Sequence, residues 1–314
     1  SIAPIKGDKI IFEYNEPYNS AFSGEIQISS IAHDYRDVFF NDERGYGDSG
    51  SCNNNVACLV GDDWRDEIRS VAMILTSGGS RLCTGALVNN TSQDLEPYFL
   101  TANHCLGGNN SWIFMFNYES SSCTNQNGPT NMTVSGSTLL ANSSSSDFAL
   151  LRLNENPPED YNVHYAGWDV SGSTPNTPVG IHHPSGDVMK VCRDDNQPTQ
   201  TINGGAQTWE ITTAGGGWEI GVTEPGSSGS PLFDNEGRII GQLYGGGAAC
   251  SGTVDNGLLD YYGRLGVSWE GGGSSSTRLR DWLDPSGSNP DQIDPYPSLV
   301  TYPYDIGVVS IDSP

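Results

Sequence analysis

The sequence predicts an all-β protein rich in turns. Its apolar runs are short. The 314 residues include 39 glycines and 18 prolines. Clusters of Gly, Asn, Pro and Ser punctuate the runs at strand-like spacing. The length suits one large domain or two small ones, and no apolar run is long enough to span a membrane as a helix.

Taken in order, residues 1–46 read as a small β segment. Ile10-Ile11-Phe12-Glu13-Tyr14 and Glu25-Ile26-Gln27-Ile28 are strand-like around a turn at Asn15-Glu16-Pro17. This is too little to fold alone. Arg44 to Gly50 forms a glycine-rich junction and a plausible processing site. The strand candidates that follow are 70–75, 83–88, 98–101, 111–116 and 148–153, then 179–182, 208–211 and 238–244. Leu100 to Leu153 and Ile181 to Leu265 read as two similar β units, joined by a Pro/Asn-rich connection from Asn154 to Asn162. Residues 275–283 predict a short amphipathic helix stopped by Pro285. Residues 287–314, rich in Pro, Asp and Ser, predict a linker.

The formal net charge is -24. That argues against nucleic-acid and anionic-membrane partners and would draw cationic substrates, although a solvated, salt-adapted surface explains it equally well. Seven cysteines without metal-type spacing predict disulfides and an oxidising compartment. With no initiator Met or signal peptide, the chain reads as a processed piece of a secreted protein.

The chemistry concentrates at Gly226-Ser227-Ser228-Gly229-Ser230-Pro231. Alone, such a stretch is most often a flexible loop. A nucleophilic serine, however, needs a tight turn that exposes its hydroxyl and aims backbone N–H groups at a developing oxyanion. His33, His104, His164, His182 and His183 all precede Ser228, which excludes the Ser…Asp…His order of α/β-hydrolases. The order His, Asp, Ser remains. His104 lies in Thr101-Ala102-Asn103-His104-Cys105, at the end of an apolar strand. Asp147 opens the apolar strand Phe148-Ala149-Leu150-Leu151, where a part-buried carboxylate can orient an imidazole. A lone His or Asp in such a place is usually structural; three in this order are hard to obtain by chance. His182-His183 point to opposite faces of a strand and cannot chelate together. Acidic turns such as Gly61-Asp62-Asp63 with Asp66 usually bind no calcium tightly. Trp112, Trp209 and Trp218 read as core and rim. No metal and no cofactor are expected.

These three motifs resemble those of the chymotrypsin-like serine proteases. Gly50 to Cys58, Gly221-Val222-Thr223-Glu224-Pro225, Asp260-Tyr261-Tyr262-Gly263-Arg264 and Arg280 to Pro285 narrow the resemblance to the bacterial lysyl endopeptidases, over about Gly47 to Pro285. The resemblance implies two antiparallel β-barrels, roughly 47–156 and 157–286, with residues 1–46 similar to the end of that family's pro-region. It implies Ser228 as nucleophile, His104 as general base and Asp147 as its partner. It implies an oxyanion hole from the N–H groups of Gly226 and Ser228, and disulfides Cys52–Cys250, Cys58–Cys123 and Cys83–Cys105, with Cys192 left as a buried thiol. Substrate would meet Asp260, Val222, Tyr244, Gly245 and Gly246. The partners implied are protein or peptide substrates with Lys at the cleavage site, met by a secreted monomer.

Three departures matter. Ser227 stands where trypsin carries the aspartate that pairs with its new N-terminus, so activation by N-terminal insertion is not expected. Val222 stands where trypsin has its specificity aspartate, so any charge in the pocket must come from elsewhere, and the resemblance implies Asp260. No Lys precedes Gly47 at the junction. The rival reading is a catalytically silent β-rich binding module, and a protease of other specificity is a second. Composition favours Lys: the only lysines are Lys6, Lys9 and Lys190, while arginines run throughout, as expected of an enzyme that spares itself, although an acidic proteome poor in Lys is the alternative explanation.

Overall fold

The computed structural model describes residues 9–13, 28, 48–211 and 217–297. Among these, two curled, largely antiparallel sheets form a pair of barrel-like units. The first has seven strands in the order Thr133–Ser135, Ile113–Phe116, Val71–Leu75, Arg81–Leu87, Tyr98–Ala102, Phe148–Leu153 and Ser137–Ser143. The main path of the second runs Asn54–Asn55, Lys190–Arg193, Val179–His182, Pro231–Phe233, Arg238–Gly246, Asp260–Arg264, Ala206–Glu210 and Thr199–Asn203. Gly167–Asp169 adds to it in parallel beside Arg238–Gly246.

The sequence of Val71–Leu75 shows why the sheets curl. All five residues are buried. Ala72 and Ile74 fill one core with Phe99, Phe114 and Leu151, while Met73 and Leu75 pack with Ile113 and Met115. A strand covered on both faces reads as a continuous apolar run instead of alternating. A further core draws Leu100, Phe148 and Leu150 from the first sheet together with Ile181, Phe233 and Ile239 from the second. That shared core fixes one unit against the other and sets the cleft between them.

Several expectations need correction. Ile10–Glu13 are exposed and outside any regular element; Tyr14, most of Glu25–Ile28 and residues 44–47 lie outside the described residues. The expected helix over 275–283 is only Arg280–Leu283. Ahead of it, Thr277 Oγ1 donates to Ser274 O and accepts from Ser274 N, at 3.2 Å each. Such local bonds compete with a helix. A second helix, Leu265–Glu270, was not expected. The linker expected from residue 287 is packed as far as Pro297: Gln292–Ile293 pairs with Gly167–Asp169, and Tyr296 bridges Tyr165. Strand pairing satisfies backbone groups and needs no apolar side chains, so a Pro/Asp/Ser-rich stretch can still join a sheet.

Disulfides join Cys52 to Cys250, Cys58 to Cys123 and Cys83 to Cys105, and Cys192 is a buried free thiol. In the acidic turn, Asp62 pairs with Arg65 and Asp66 with Arg69. No helix among the described residues is long and apolar enough to cross a membrane.

Candidate active site

His104 sits on a single 3-10 turn, Asn103–Cys105, immediately after the buried strand Tyr98–Ala102. The Cys83–Cys105 disulfide ties that turn to the neighbouring strand. Asp147 precedes Phe148–Leu153, antiparallel to it. The carboxylate is buried and faces the turn: Oδ2 lies 2.6 Å from His104 Nδ1, and Oδ1 accepts from His104 N at 3.0 Å. Asn103 N also donates to Asp147 O at 2.8 Å. Asp147 holds φ +55°, a sparsely populated conformation for a non-glycine residue. The second sheet braces it: Gln242 Nε2 donates to Ser146 O at 2.7 Å, and Ser146 Oγ bonds Ser268 Oγ at 2.8 Å.

Ser228 lies on the loop before Pro231–Phe233, against the first sheet. Thr84 N donates to Ser228 O at 2.8 Å, and that oxygen is 3.9 Å from Cys105 Sγ, beside His104. The Ser228 loop thus lies beside the turn that carries His104, and no hydrogen bond joins the Ser228 and His104 side chains. Tyr244 meets His104 edge-on, with ring centroids 6.3 Å apart.

The loop's carbonyls are occupied. Pro225 O accepts from Ser185 N at 2.7 Å, Gly226 O from Thr84 Oγ1 at 2.8 Å, and Ser227 O from Ser230 N at 3.0 Å. In a trans peptide the N–H points opposite to the C=O. Fixing the carbonyls of Pro225 and Ser227 therefore directs the N–H groups of Gly226 and Ser228 the other way, where they meet no acceptor among the described residues. Gly226 has φ +98°, and a Cβ there would stand 3.0 Å from His183 O. Only glycine takes this turn without strain.

Asp260 opens the strand Asp260–Arg264 and is 1% exposed. Its Oδ2 accepts from Thr223 Oγ1 at 2.7 Å and Trp218 Nε1 at 2.8 Å, while Oδ1 has a 3.4 Å contact with Ala248 N. No basic side chain among the described residues pairs with it. Burial pushes its pKa up to about 6, against the pull of the Trp218 and Thr223 bonds. The backbone at Gly246 lies against this carboxylate, and a Cβ there would fall 2.2 Å from Oδ1. Val222 is fully buried, and its N–H is held by Asn53 Oδ1 at 3.1 Å.

Residues 46–263 match the model of the lysyl endopeptidase C-terminal domain. The chain belongs to this family. Among known lysyl endopeptidases, that of Pseudomonas aeruginosa is 30% identical over 286 residues, which is 82% of this chain and 59% of the relative. The chain thus spans about three fifths of that relative's length. Two solved structures resemble it more distantly. The Rv3671c protease of M. tuberculosis in its active form has 16% identity and a TM-score of 0.44, covering 70% of this chain and 86% of that one. The protease domain of MamO from Magnetospirillum magneticum has 11% identity and a TM-score of 0.43, covering 65% and 96%.

The region matched to the lysyl endopeptidase family holds His104, Asp147, Ser228 and Asp260. The motif Arg280 to Pro285 lies beyond it. Sequence reasoning missed Thr84, which crosses between the sheets to hold the Ser228 loop, and Thr223 as a partner of Asp260. It also took Trp218 for core and rim, yet its indole N–H binds the Asp260 carboxylate. Gly217, at φ +91° immediately before Trp218, was the available signal. His182 and His183 bind different partners, Ser227 Oγ at 2.7 Å and Asp187 O at 2.9 Å, in keeping with their opposite faces.

Proposed function

We propose that the protein is a secreted serine endopeptidase that cleaves after basic residues, Lys in preference to Arg. One observation carries the specificity: a buried carboxylate, Asp260, beside the reactive loop with no cation of its own. A substrate ammonium supplies the missing charge. Breaking such a buried pair costs roughly 3–5 kcal/mol. Asp260 Oδ2 is already engaged by two donors, which leaves Oδ1 for a point charge. The planar fork of Arg would need both oxygens, so the arrangement favours Lys.

In this reading Ser228 Oγ attacks the scissile carbonyl carbon and its proton passes to His104 Nε2. Asp147, bonded to Nδ1–H, holds the ring's tautomer and stabilises the imidazolium. The N–H groups of Gly226 and Ser228 receive the oxyanion. The tetrahedral species collapses, the C–N bond breaks and His104 hands its proton to the leaving amine. Water, deprotonated by His104, then hydrolyses the acyl-enzyme and restores Ser228. Substrate is taken up along Tyr244-Gly245-Gly246 and Val222, with no cofactor. The mature enzyme begins near Gly47 and works as a monomer.

Lys190 supports self-sparing. It is buried, with Nζ 2.6 Å from Asn125 Oδ1 and 3.3 Å from Asp187 Oδ2. The three disulfides support an oxidising destination. A fluorophosphonate probe tests the catalytic reading: it should label Ser228 in the folded protein. A folded protein that stays unlabelled would be a silent binding module.

A further inference from the structure

Ser227 is fully buried directly beneath the reactive serine, and so is His182. Their side chains meet at Oγ and Nδ1, 2.7 Å apart. Ser227 is also the hub of its turn. Its N–H donates to Glu224 O at 2.9 Å, its Oγ accepts from Glu224 N at 3.1 Å, and its carbonyl accepts from Ser230 N at 3.0 Å. That last bond orients the peptide whose N–H belongs to Ser228. Glu224 extends the anchorage, with Oε1 taking Gly50 N at 2.7 Å and Asn53 Nδ2 at 2.8 Å, and Oε2 taking Ser185 Oγ at 2.6 Å.

We propose that Ser227 and His182 form a neutral hydrogen-bonded pair that positions the N–H groups of Gly226 and Ser228 for the oxyanion. The inference rests on the catalytic reading above. It adds two positioning residues and removes the need for an inserted N-terminal ammonium. The direction of the bond follows from counting partners. Among the described residues, Ser227 Oγ has no other acceptor for its proton and His182 Nε2 has no partner. If Ser227 donates to Nδ1, only the Nε2–H is left unmatched. If His182 donates instead, both the serine proton and bare Nε2 are left. The first arrangement strands one polar group and the second strands two, and a buried polar group without a partner is destabilising. The ring therefore carries its proton on Nε2. Burial, with His183 and Lys190 nearby, lowers the His182 pKa to about 3 and keeps the ring uncharged.

Ser227→Ala, His182→Phe and the double variant test the pair. Each single variant should lower kcat on the order of 10²-fold, the scale of a lost oxyanion donor. KM should be unchanged, and affinity for a peptide-aldehyde inhibitor should fall by the same factor. The double variant should be no worse than Ser227→Ala, because the two side chains act as one unit. Single variants within twofold of the parent, or losses that multiply in the double variant, would overturn the pairing. Should the variants not fold, nitrogen-15 NMR of histidine-labelled parent decides. An Nε2–H tautomer at His182 supports the proposal, and an Nδ1–H tautomer overturns it. If the parent itself does not react at Ser228, the catalytic reading fails and this inference falls with it; an active parent with indifferent variants sinks the pairing alone.

Discussion

At the scale of single residues, the proposed function rests on groups held at an energetic disadvantage. Asp260 is the clearest. Its carboxyl pKa is raised from 3.8 to about 6 by burial. A raised acid favours the folded state below pH 3.8, and that advantage disappears as pH rises through about 6. Above that window the unpaired charge costs about 3 kcal/mol, at about 1.4 kcal/mol per unit. Asp260→Asn should therefore be more stable than the parent at pH 8, by up to about 3 kcal/mol in urea titrations, while losing at least about a hundredfold in kcat/KM on Lys substrates. In the parent, the ratio of kcat/KM for a Lys ester to that for a neutral ester should fall as pH drops through about 6. The ratio should be flat in the variant. A variant both active on Lys and no more stable would remove Asp260 from the pocket's base. Ser228→Ala and His104→Ala should each lose on the order of 10⁶ in kcat with an unchanged melting temperature. Near-parental turnover by either would break the triad.

At the scale of elements, the segment Gly50–Asn55 is a strap. It pairs with Lys190–Arg193, bonds Glu224 and Val222, and is tied through Cys52 to Cys250, near Asp260. Replacing Cys52 and Cys250 together by Ala should cost about 2–4 kcal/mol and raise KM for Lys substrates. Parental KM and denaturation midpoint would show the strap to be idle. Elements also show what the sequence could disclose. Strands such as Val71–Leu75 and Phe148–Leu153 announced themselves because, Arg152 apart, their residues are apolar and buried. Ser137–Ser143 and Thr199–Asn203 did not, since polar residues bracket Leu139-Leu140-Ala141 in the first and surround a lone Ile202 in the second. Gln292–Ile293 was hidden for the same reason. Of the candidate site, His104, Asp147, Ser228 and Asp260 were legible because each sits in a tight local motif. Thr84, Thr223 and the role of Trp218 were not. Their importance comes from contacts spanning 142, 37 and 42 residues, which no local pattern encodes.

At the scale of the whole molecule, buried titrating groups oppose one another. Burial lowers His164 to about 4, His182 to about 3 and His183 to about 4. Depressed histidines give stability that is present above pH 6.5 and lost as pH falls through those values. Burial raises Glu67 to about 7, and Asp194 and Asp260 to about 6. Raised acids act the other way across much of the same range. The six largely offset between about pH 6.5 and 4. Removing two of the acids as Glu67→Gln with Asp260→Asn should leave the histidines opposed by Asp194 alone. The double variant's unfolding free energy should then fall more steeply than the parent's on acidification through that range, by urea titration at several pH values. Parallel curves would show that these groups do not control acid stability.

The proposed specificity makes one central claim, that cleavage follows Lys because Asp260 pairs with a substrate ammonium. The most direct measurement is a digest of a mixed protein extract by the active protein and by Asp260→Asn, with every cleavage site read by mass spectrometry. The account predicts Lys before nearly every parental cut, few cuts after Arg, and the loss of Lys cuts in the variant. Equal cutting after Arg, or a variant that still cuts after Lys at the parental rate, would contradict it.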